Sequence, residues 1–203
     1  KARIMKKQKM SEFVKFIPGI NPTRAKKQYG IDVIEYYDQN AFEYDYGQRY
    51  NFIERVSVEM NIPDELALKE GDVVISNSMQ LATIVGKENT GRVLPLNFTK
   101  VEFVDGNIDK RYFIYIFNEF SDIKRQKERE MQGNGKILRI PIKSLQQLEM
   151  PVISLSEQKK MGKAYFESLK LQAKLVTYAK LVREFNDRVL EERILTGAKE
   201  NEK

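Results

Sequence analysis

The chain has 203 residues, of which 41% are hydrophobic and 32% charged, and its formal net charge is +6. The apolar content is sufficient for a folded core, while the charged fraction exceeds the ~25% of ordinary domains and requires extensive exposed surface. There is no Cys and no His, which excludes disulfides, thiolate nucleophiles, Ser–His and Cys–His catalysis, and His-ligated metals. Enzymes that use Asp, Glu, Lys and Tyr remain possible, but we find no catalytic constellation of these residues.

The charge is unevenly distributed along the chain. Residues 1–28 contain nine Lys or Arg and one acid, a net charge of +8, and residues 124–143 contain seven bases and two acids, a net charge of +5. Residues 32–72 contain eleven acids and three bases, a net charge of −8. Separated basic segments are typical of nucleic-acid-binding proteins. The alternative is a basic soluble protein that binds no anionic partner.

The beginning of the chain contains no targeting signal. No run of 18 apolar residues is present, and the basic stretch from Lys1 to Met10 is not followed by an apolar segment, which favours a cytoplasmic protein. Met5 is a candidate for the natural first residue, which would make residues 1–4 an added tag.

The pattern of apolar and turn-forming residues predicts a β-rich first part. Strands are predicted over residues 11–17, 30–37, 53–58, 73–75, 81–85, 93–96, 98–104 and 136–142. Residues 44–50 are predicted to form a polar, aromatic loop, and residues 133–135 a flexible turn. A helix is predicted over residues 109–120 and a short helical turn over 144–148, with a highly charged stretch between them at residues 124–131.

The last quarter of the chain predicts one long helix. Pro151 marks a boundary, and Ser154 and Glu157 have the spacing of a capping box. Residues 157–195 contain no Pro, and Gly197 is a plausible stop. A helix over 157–195 is about 58 Å long at ~1.5 Å per residue. We therefore divide the chain into a globular domain (1–152), a long helix (153–197) and a disordered tail (198–203).

An apolar seam with heptad spacing runs along this helix. Eight of its nine positions are apolar or Tyr, with Ser168 as the exception, and the eight are Met161, Ala164, Leu171, Leu175, Tyr178, Val182, Phe185 and Val189. This spacing is typical of coiled coils and predicts pairing with another helix. The alternative is a helix packed along its whole length on its own domain. We disfavour it because the length of the helix exceeds the width of a compact globule of about 150 residues.

Four motifs follow one another in the second half of the chain. They are LKEGDVVI at 68–75, IDKRYF at 108–113, GKILRI at 135–140, and LQQLEMPV at 145–152 leading into LSEQKKM at 155–161. In this order, and followed by the long helix, they resemble the specificity (S) subunit of type I restriction–modification enzymes over residues 66–195. The resemblance implies an α+β fold in which a β-rich target-recognition domain precedes a coiled-coil-forming helix.

The resemblance also implies a function without catalysis. Such subunits hold two target-recognition domains apart on antiparallel helices, and each domain reads one half of a split DNA sequence. Methyltransferase (M) subunits with S-adenosylmethionine methylate adenine, and restriction (R) subunits with ATP and magnesium translocate and cleave DNA, so this chain needs no cofactor. Here one unit is present where the family has two, which implies a half-subunit that forms a homodimer or a truncated product. A homodimer would read an inverted, symmetric split site.

Three sets of loop residues are our candidates for contact with DNA. Two of the sets consist of bases that suit phosphate contacts: Arg24, Lys26 and Lys27 form the first, and Lys124, Arg125, Lys127 and Arg129 form the second. Side chains of the types that read base edges are Gln48, Arg49, Asn89, Arg92, Gln132 and Asn134. For each of them the alternative is an exposed residue that makes no contact.

Two other classes of function remain. A scaffold protein with a β-rich protein-binding domain on a dimeric coiled coil would also have the long seam, but it has no need of separated basic segments. A magnesium-dependent nuclease using acids such as Asp72 and Glu102 is the third option. It is disfavoured because a metal site needs convergent ligands.

Overall fold

A computed structural model of the chain describes residues 6–21, 34–47, 63–104, 106–131 and 139–200. Short 3-10 turns cover Met10–Glu12 and Lys87–Asn89. The strands and α-helices of the described ranges are, in chain order, β1 (Lys7–Lys9), β2 (Val14–Pro18), α1 (Gln39–Tyr46), β3 (Val73–Ser76), β4 (Leu81–Ile84), β5 (Phe98–Phe103), α2 (Lys110–Glu119), α3 (Ser121–Glu130), α4 (Ile142–Gln147), β6 (Glu149–Pro151) and α5 (Leu155–Glu200).

A four-stranded antiparallel sheet in the order β2-β5-β3-β4 lies at the centre of the globule. β3 is an inner strand, in which Val74 lies opposite Thr83 of β4 and Lys100 of β5. Successive side chains of a strand point to opposite faces, so Val73 and Ile75 pack into one hydrophobic cluster and Val74 into another. All four residues of β3 are buried, which means that both faces of the sheet are covered.

The two clusters differ in size and in the helices that complete them. The larger one includes Phe113 and Phe117 of α2, Ile123 of α3 and Leu145 of α4. The smaller one is closed by α1 through Phe42. There Phe98 of β5 meets Tyr37 edge to face, with ring centroids 5.4 Å apart.

The edge strand β4 is covered by a side chain of α2. Asn118 Oδ1 accepts from the backbone N–H of Ala82 at 2.7 Å, and Asn118 Nδ2 donates to the Ala82 carbonyl at 2.9 Å. The carboxamide thus replaces a neighbouring strand at this residue. Because unpaired edge groups invite pairing with other chains, this contact protects the edge of the sheet.

A second, two-stranded sheet leads the chain into α5. β1 pairs antiparallel with β6, and the Tyr112 hydroxyl of α2 donates to the Pro151 carbonyl at 2.9 Å. Ser154 Oγ then accepts from the Glu157 N–H at 3.4 Å, as expected for an N-cap. The helix begins at Leu155 and has 46 residues, about 69 Å at ~1.5 Å per residue.

Within the described ranges, the first turns of α5 are the part of the helix that is buried against the globule. Gln158, Gly162 and Phe166 are buried against it. Further along the helix, the large apolar side chains from Leu171 to Leu195 are exposed, except for the half-buried Val189. The interpretation as a helix packed on its own domain therefore holds for the beginning of α5. The rest extends beyond the packed part, and its pairing with another helix stays a prediction.

Most regular elements predicted in the described ranges are confirmed. The structure contains the predicted strands at β3, β4 and β5, the helices α2 and α5, and the short helical turn at α4. The α+β class with one long helix is also confirmed. The charged stretch beginning at Lys124 lies in a helix, α3.

Four local predictions are wrong. Residues 44–46 end helix α1 instead of forming a loop, and 11–12 belong to a 3-10 turn. Residues 93–95 make only isolated bridges, and Ile142 starts a helix. The division of the chain into domain, helix and tail stays a prediction, and the backbone of residues 198–200, placed in the tail, is helical. The predicted strand over 53–58 and the turn over 133–135 lie outside the described residues, as do 30–33 and 136–138 of two other strands.

Candidate nucleic-acid interface

The two basic segments of the sequence meet in the fold. Lys7 of β1 forms an ion pair with Asp122 of α3, with 2.9 Å between Nζ and Oδ2, and this hydrogen bond lowers the pKa of Asp122. The Gln126 side chain both accepts from and donates to the backbone of Glu149 in β6. Because β6 pairs with β1, these contacts hold α3 beside the N-terminal strand. Lys6, Lys7 and Lys9 are exposed there.

The exposed face of α3 carries nearly balanced charge. Lys124 pairs with Glu119 at 2.8 Å, and Arg125 lies 3.7 Å from Asp122. Arg129 is exposed as well. Since α3 also contains Asp122, Glu128 and Glu130, its surface offers phosphate-binding groups without a strong positive field. The three bases Lys124, Arg125 and Arg129 remain candidates for phosphate contact.

Lys127 does not belong to this surface. Only 5% of it is exposed, and its Nζ donates to the carbonyls of Gln80 and Phe117 at 2.7 Å each. Burial lowers the pKa of Lys127 to about 8. The predicted phosphate contact of Lys127 is therefore corrected to a structural role, because α3 turns this position towards α2 and the β3–β4 hairpin.

Asn89 and Arg92, which we predicted as readers of base edges, are also buried. Asn89 is 1% exposed, and its Nδ2 donates to Asp45 Oδ1 at 2.9 Å. Arg92 is 5% exposed, donates to the Tyr36 carbonyl at 3.0 Å and pairs with Glu35. Both side chains connect the 87–93 segment to the chain around α1, so the structure argues against base contacts for them.

The buried carboxylate of Asp45 connects the side chains of Tyr37 and Asn89. Asp45 Oδ2 accepts from the Tyr37 hydroxyl at 2.8 Å, and Asp45 Oδ1 accepts from Asn89. Burial raises the pKa of Asp45. Sequence reasoning missed this role because Asp45 lies in an acidic segment that looks solvated. Its only local signal is its place between Tyr44 and Tyr46 on an amphipathic helix.

The other candidates lie outside the described residues. They are Arg24, Lys26, Lys27, Gln48, Arg49, Gln132 and Asn134. The sequence prediction named none of the exposed bases of β1 individually. Their signal was present in the charge of residues 1–28, but strands as short as β1 give no periodicity that would place them.

The predicted helix seam faces away from the globule. Gly162, Phe166 and Leu169 lie on the side of α5 that the domain covers fully or partly. Leu171, Leu175 and Tyr178 each follow one of them by nine residues, which is about 2.5 turns at ~3.6 residues per turn and therefore the opposite side. All three seam residues are exposed, as are Met161, Ala164, Val182 and Phe185, while Val189 is half-buried.

The described residues contain no group of three or more Asp and Glu side chains that would hold a metal ion. Asp72, one acid of the nuclease alternative, pairs with Lys100 at 2.8 Å. None of the helices in the described ranges combines the length and the apolar composition that a membrane crossing needs.

Comparison with solved structures relates this fold to the specificity subunits of type I restriction–modification systems. The chain superposes on the HsdS subunit from Thermoanaerobacter tengcongensis with a TM-score of 0.52 and 15% identity, over 88% of this chain and 40% of that one. It superposes on a chain from a type I R-M system, described for its complex assembly and conformational transition, with a TM-score of 0.55 and 16% identity. That match covers 94% of this chain and 44% of the other.

A third structure, the S subunit of a type I restriction–modification system from M. genitalium, has a TM-score of 0.46 and 14% identity, covering 81% of this chain and 39% of that one. This chain thus spans about two fifths of the length of the structures that it resembles. No protein-family model and no curated protein matches the sequence. At these identities the comparisons show a shared fold.

Proposed function

We propose that this chain is the DNA-recognition subunit of a type I restriction–modification complex. The observation that carries the proposal is the fold similarity to the T. tengcongensis HsdS subunit, because its 88% coverage of this chain requires both the globule and part of the long helix. The motif series in residues 68–161 supports the same class from the sequence. The globule reads one half of a bipartite target, and partner subunits carry out the chemistry.

In this proposal the chain itself is not an enzyme. Adenine methylation belongs to M subunits with S-adenosylmethionine, and translocation and cleavage belong to R subunits with ATP and magnesium. The absence of Cys and His from the sequence supports a non-catalytic role. DNA contacts are provided by exposed bases, among them Lys124, Arg125 and Arg129, and by residues of the types that read base edges, such as Gln132 and Asn134.

Two copies of the chain pair through the seam of α5 in this proposal. The seam supports pairing because it lies opposite the side that packs on the globule, so neither contact displaces the other. Two globules held by paired helices then read two half-sites with a fixed gap. If the two copies are identical, the half-sites are inverted repeats.

Methylome sequencing tests the proposal. A host that expresses this chain with its adenine methyltransferase should acquire methylation at two inverted half-sites separated by a constant number of base pairs. A host with the methyltransferase alone is the control and should lack that methylation. A contiguous motif, or methylation that does not depend on this chain, would contradict the proposal.

The scaffold alternative retains one supporting observation, the near-neutral exposed face of α3. A scaffold would co-purify with a protein that is not a methyltransferase and would bind duplex DNA no better than an unrelated basic protein does. Purification from the native host therefore separates the two functions.

A further inference from the structure

We propose that Gly162 and Gln158 are positioning residues, which fix the direction in which α5 leaves the globule and thereby the gap between the two half-sites. The inference rests on the proposed function for its consequence on DNA, but the joint itself is a property of the folded chain. The two residues lie in the first turns of α5, where this helix crosses the beginning of α2.

Gly162 permits a close approach that no other residue type allows. A Cβ atom at this position would lie 2.7 Å from Arg111 Cβ, 2.7 Å from the Tyr112 backbone N and 2.8 Å from Asp109 Oδ1. Two of these neighbours are backbone or Cβ atoms, which cannot move without moving α2. Gly162 is also helical, where Gly is less favourable than Ala, so its presence is explained by the contact rather than by the helix.

Gln158 fixes the rotation of α5 at the same crossing. The side chain is 1% exposed, and its Oε1 accepts from the Asp109 N–H at 2.9 Å. Its Nε2 donates to the carbonyls of Asn107 and Ile153 at 3.1 and 2.9 Å. The carboxamide therefore connects the start of α5 to the segment that precedes α2, and a buried amide with three such partners allows little rotation.

Asp109 connects both contacts to the start of α2. Its Oδ1 accepts from the N–H groups of Arg111 and Tyr112 at 3.0 Å each, as an N-cap does. One residue thus begins α2, bonds to Gln158 and limits the space at Gly162. The Arg111 guanidinium also lies 5.5 Å from the centre of the Phe166 ring, one turn further along α5.

The length of α5 amplifies any change at this joint. From Gly162 to Thr196 the helix extends about 51 Å at ~1.5 Å per residue, so a tilt of about 10° moves its end by about 9 Å. That displacement corresponds to between two and three steps of ~3.4 Å along duplex DNA. A half-site gap that is constant to one base pair therefore requires a joint as constrained as this one.

The absence of Cys makes the joint directly measurable in the full chain. Ser121→Cys on α3 and Arg188→Cys on α5 place spin labels at two exposed positions. Double electron–electron resonance, with unlabelled chain in excess so that only distances within one chain are read, should give a single narrow distribution. Gly162→Ala should shift or broaden it by several ångströms, whereas Gly106→Ala, whose Cβ would meet nothing within 4 Å, should leave it unchanged.

A second pair of variants keeps the test open if Gly162→Ala does not fold. Gln158→Glu preserves size and the bond from Asp109 N–H, but it replaces the donor to two carbonyls with a carboxylate oxygen. The distribution should broaden, while Gln172→Glu, an exposed change on the same helix, should have no effect. An unchanged distribution in a folded joint variant would overturn the proposal.

The consequence for DNA is read from methylation of substrates whose half-site gap varies by one base pair at a time. With the methyltransferase present, the parent and both control variants should favour one gap, and the joint variants should accept neighbouring gaps or move to one of them. Altered distances with unchanged gap preference would overturn the assigned role. If the parent directs no sequence-specific methylation, the proposed function fails, and the distance measurement still decides whether the joint is rigid.

Discussion

Lys127 is a charged side chain that the fold uses internally. Its ammonium group donates to the Gln80 and Phe117 carbonyls and lies 4.2 Å from the centre of the Phe117 ring. Phe117 is in the last turns of α2, where carbonyls lack helical partners. Lys127 therefore provides a hydrogen-bond donor to a carbonyl at the C-terminal end of α2 and joins this end to the β3–β4 hairpin.

Removing the Lys127 side chain should lower the stability of the fold and should not change the exposed basic surface of α3. Lys127→Ala leaves two carbonyls without the donor that they now have, so we expect a loss of about 1–3 kcal/mol in the free energy of unfolding. Urea denaturation measures it. Lys124→Ala is the control, since that residue forms an exposed ion pair with Glu119 and such pairs contribute about 0–1 kcal/mol. Equal effects of the two changes would contradict the structural role of Lys127.

The stability contributed by Lys127 should also depend on pH. Its pKa is about 8 in the folded chain, against 10.5 for an unperturbed lysine, so between these values the unfolded chain binds more protons and the free energy of unfolding rises with pH. The difference between the parent and Lys127→Ala should therefore widen by about 1–2 kcal/mol between pH 7.5 and pH 9.5. Denaturation at both pH values measures it, and a constant difference would place the pKa of Lys127 outside this window.

At the scale of elements, α5 is used on two opposite sides. One side packs its first turns on the globule, and the other presents the seam. We expect the purified chain to be a dimer, and Leu175→Asp with Val182→Asp to make it monomeric, because two buried carboxylates in the seam are strongly unfavourable. Light scattering at matched concentrations gives the mass of each.

The matched control uses two exposed apolar residues of the same helix that lie off the seam. Val176→Asp with Leu181→Asp introduces the same charges on the same element, and this variant should remain dimeric. Monomers for the parent and the seam variant alike would refute pairing. Monomers for both variants, with a dimeric parent, would place the interface on a wider face than the heptad seam.

The long elements could be predicted from the sequence because their signals are local. The start of α5 follows from Ser154, Glu157 and the absence of Pro, and β3 follows from a short apolar run bounded by turn residues. Helix α1 was missed because its stabilisation is tertiary: Phe42 packs against Phe98, with ring centroids 5.8 Å apart, and Asp45 bonds to distant Asn89. Propensity in an eight-residue segment does not reveal such contacts.

The candidate site was harder to predict than the fold for the same reason. From the sequence, a basic or amide side chain that faces solvent cannot be distinguished from one that bonds to a buried polar group. Arg92 and Asn89 are buried because the 87–93 segment folds back on the chain around α1, which is a long-range contact. Exposed Lys124 and buried Lys127 differ by three residues on one helix, and only the position of α2 decides between them.

At the scale of the whole molecule, the described part of the fold leaves fewer of the predicted DNA-binding side chains exposed than the sequence suggests. Of the bases predicted on α3, three remain exposed, and two of these have acidic partners within the chain. Binding to DNA must exchange these partners for phosphates. The pairing with Glu119 and Asp122 therefore lowers the gain from each contact, and the affinity of the isolated chain for DNA should be modest.

The salt dependence of DNA binding tests this surface. Each phosphate contact releases counterions, so the logarithm of affinity should fall with the logarithm of salt concentration by about 0.9 per contact. Lys124→Ala, Arg125→Ala and Arg129→Ala combined should make that slope shallower by up to about 3 and weaken all sequences alike, because phosphate contacts carry no sequence information. Fluorescence anisotropy with labelled duplexes over a salt series measures both.

The control removes the same number of charges from another part of the molecule. Lys159→Ala, Lys163→Ala and Lys174→Ala lie on exposed positions of α5, so they lower the net charge equally without touching α3. If α3 contacts the DNA backbone, only the α3 variant changes the slope of log affinity against log salt concentration. The reason is that the number of counterions released depends on the phosphate contacts and not on the net charge of the protein. Equal changes in the two variants would mean that α3 attracts DNA only through net charge. The phosphate contacts would then be made by bases outside α3, such as those of residues 1–28.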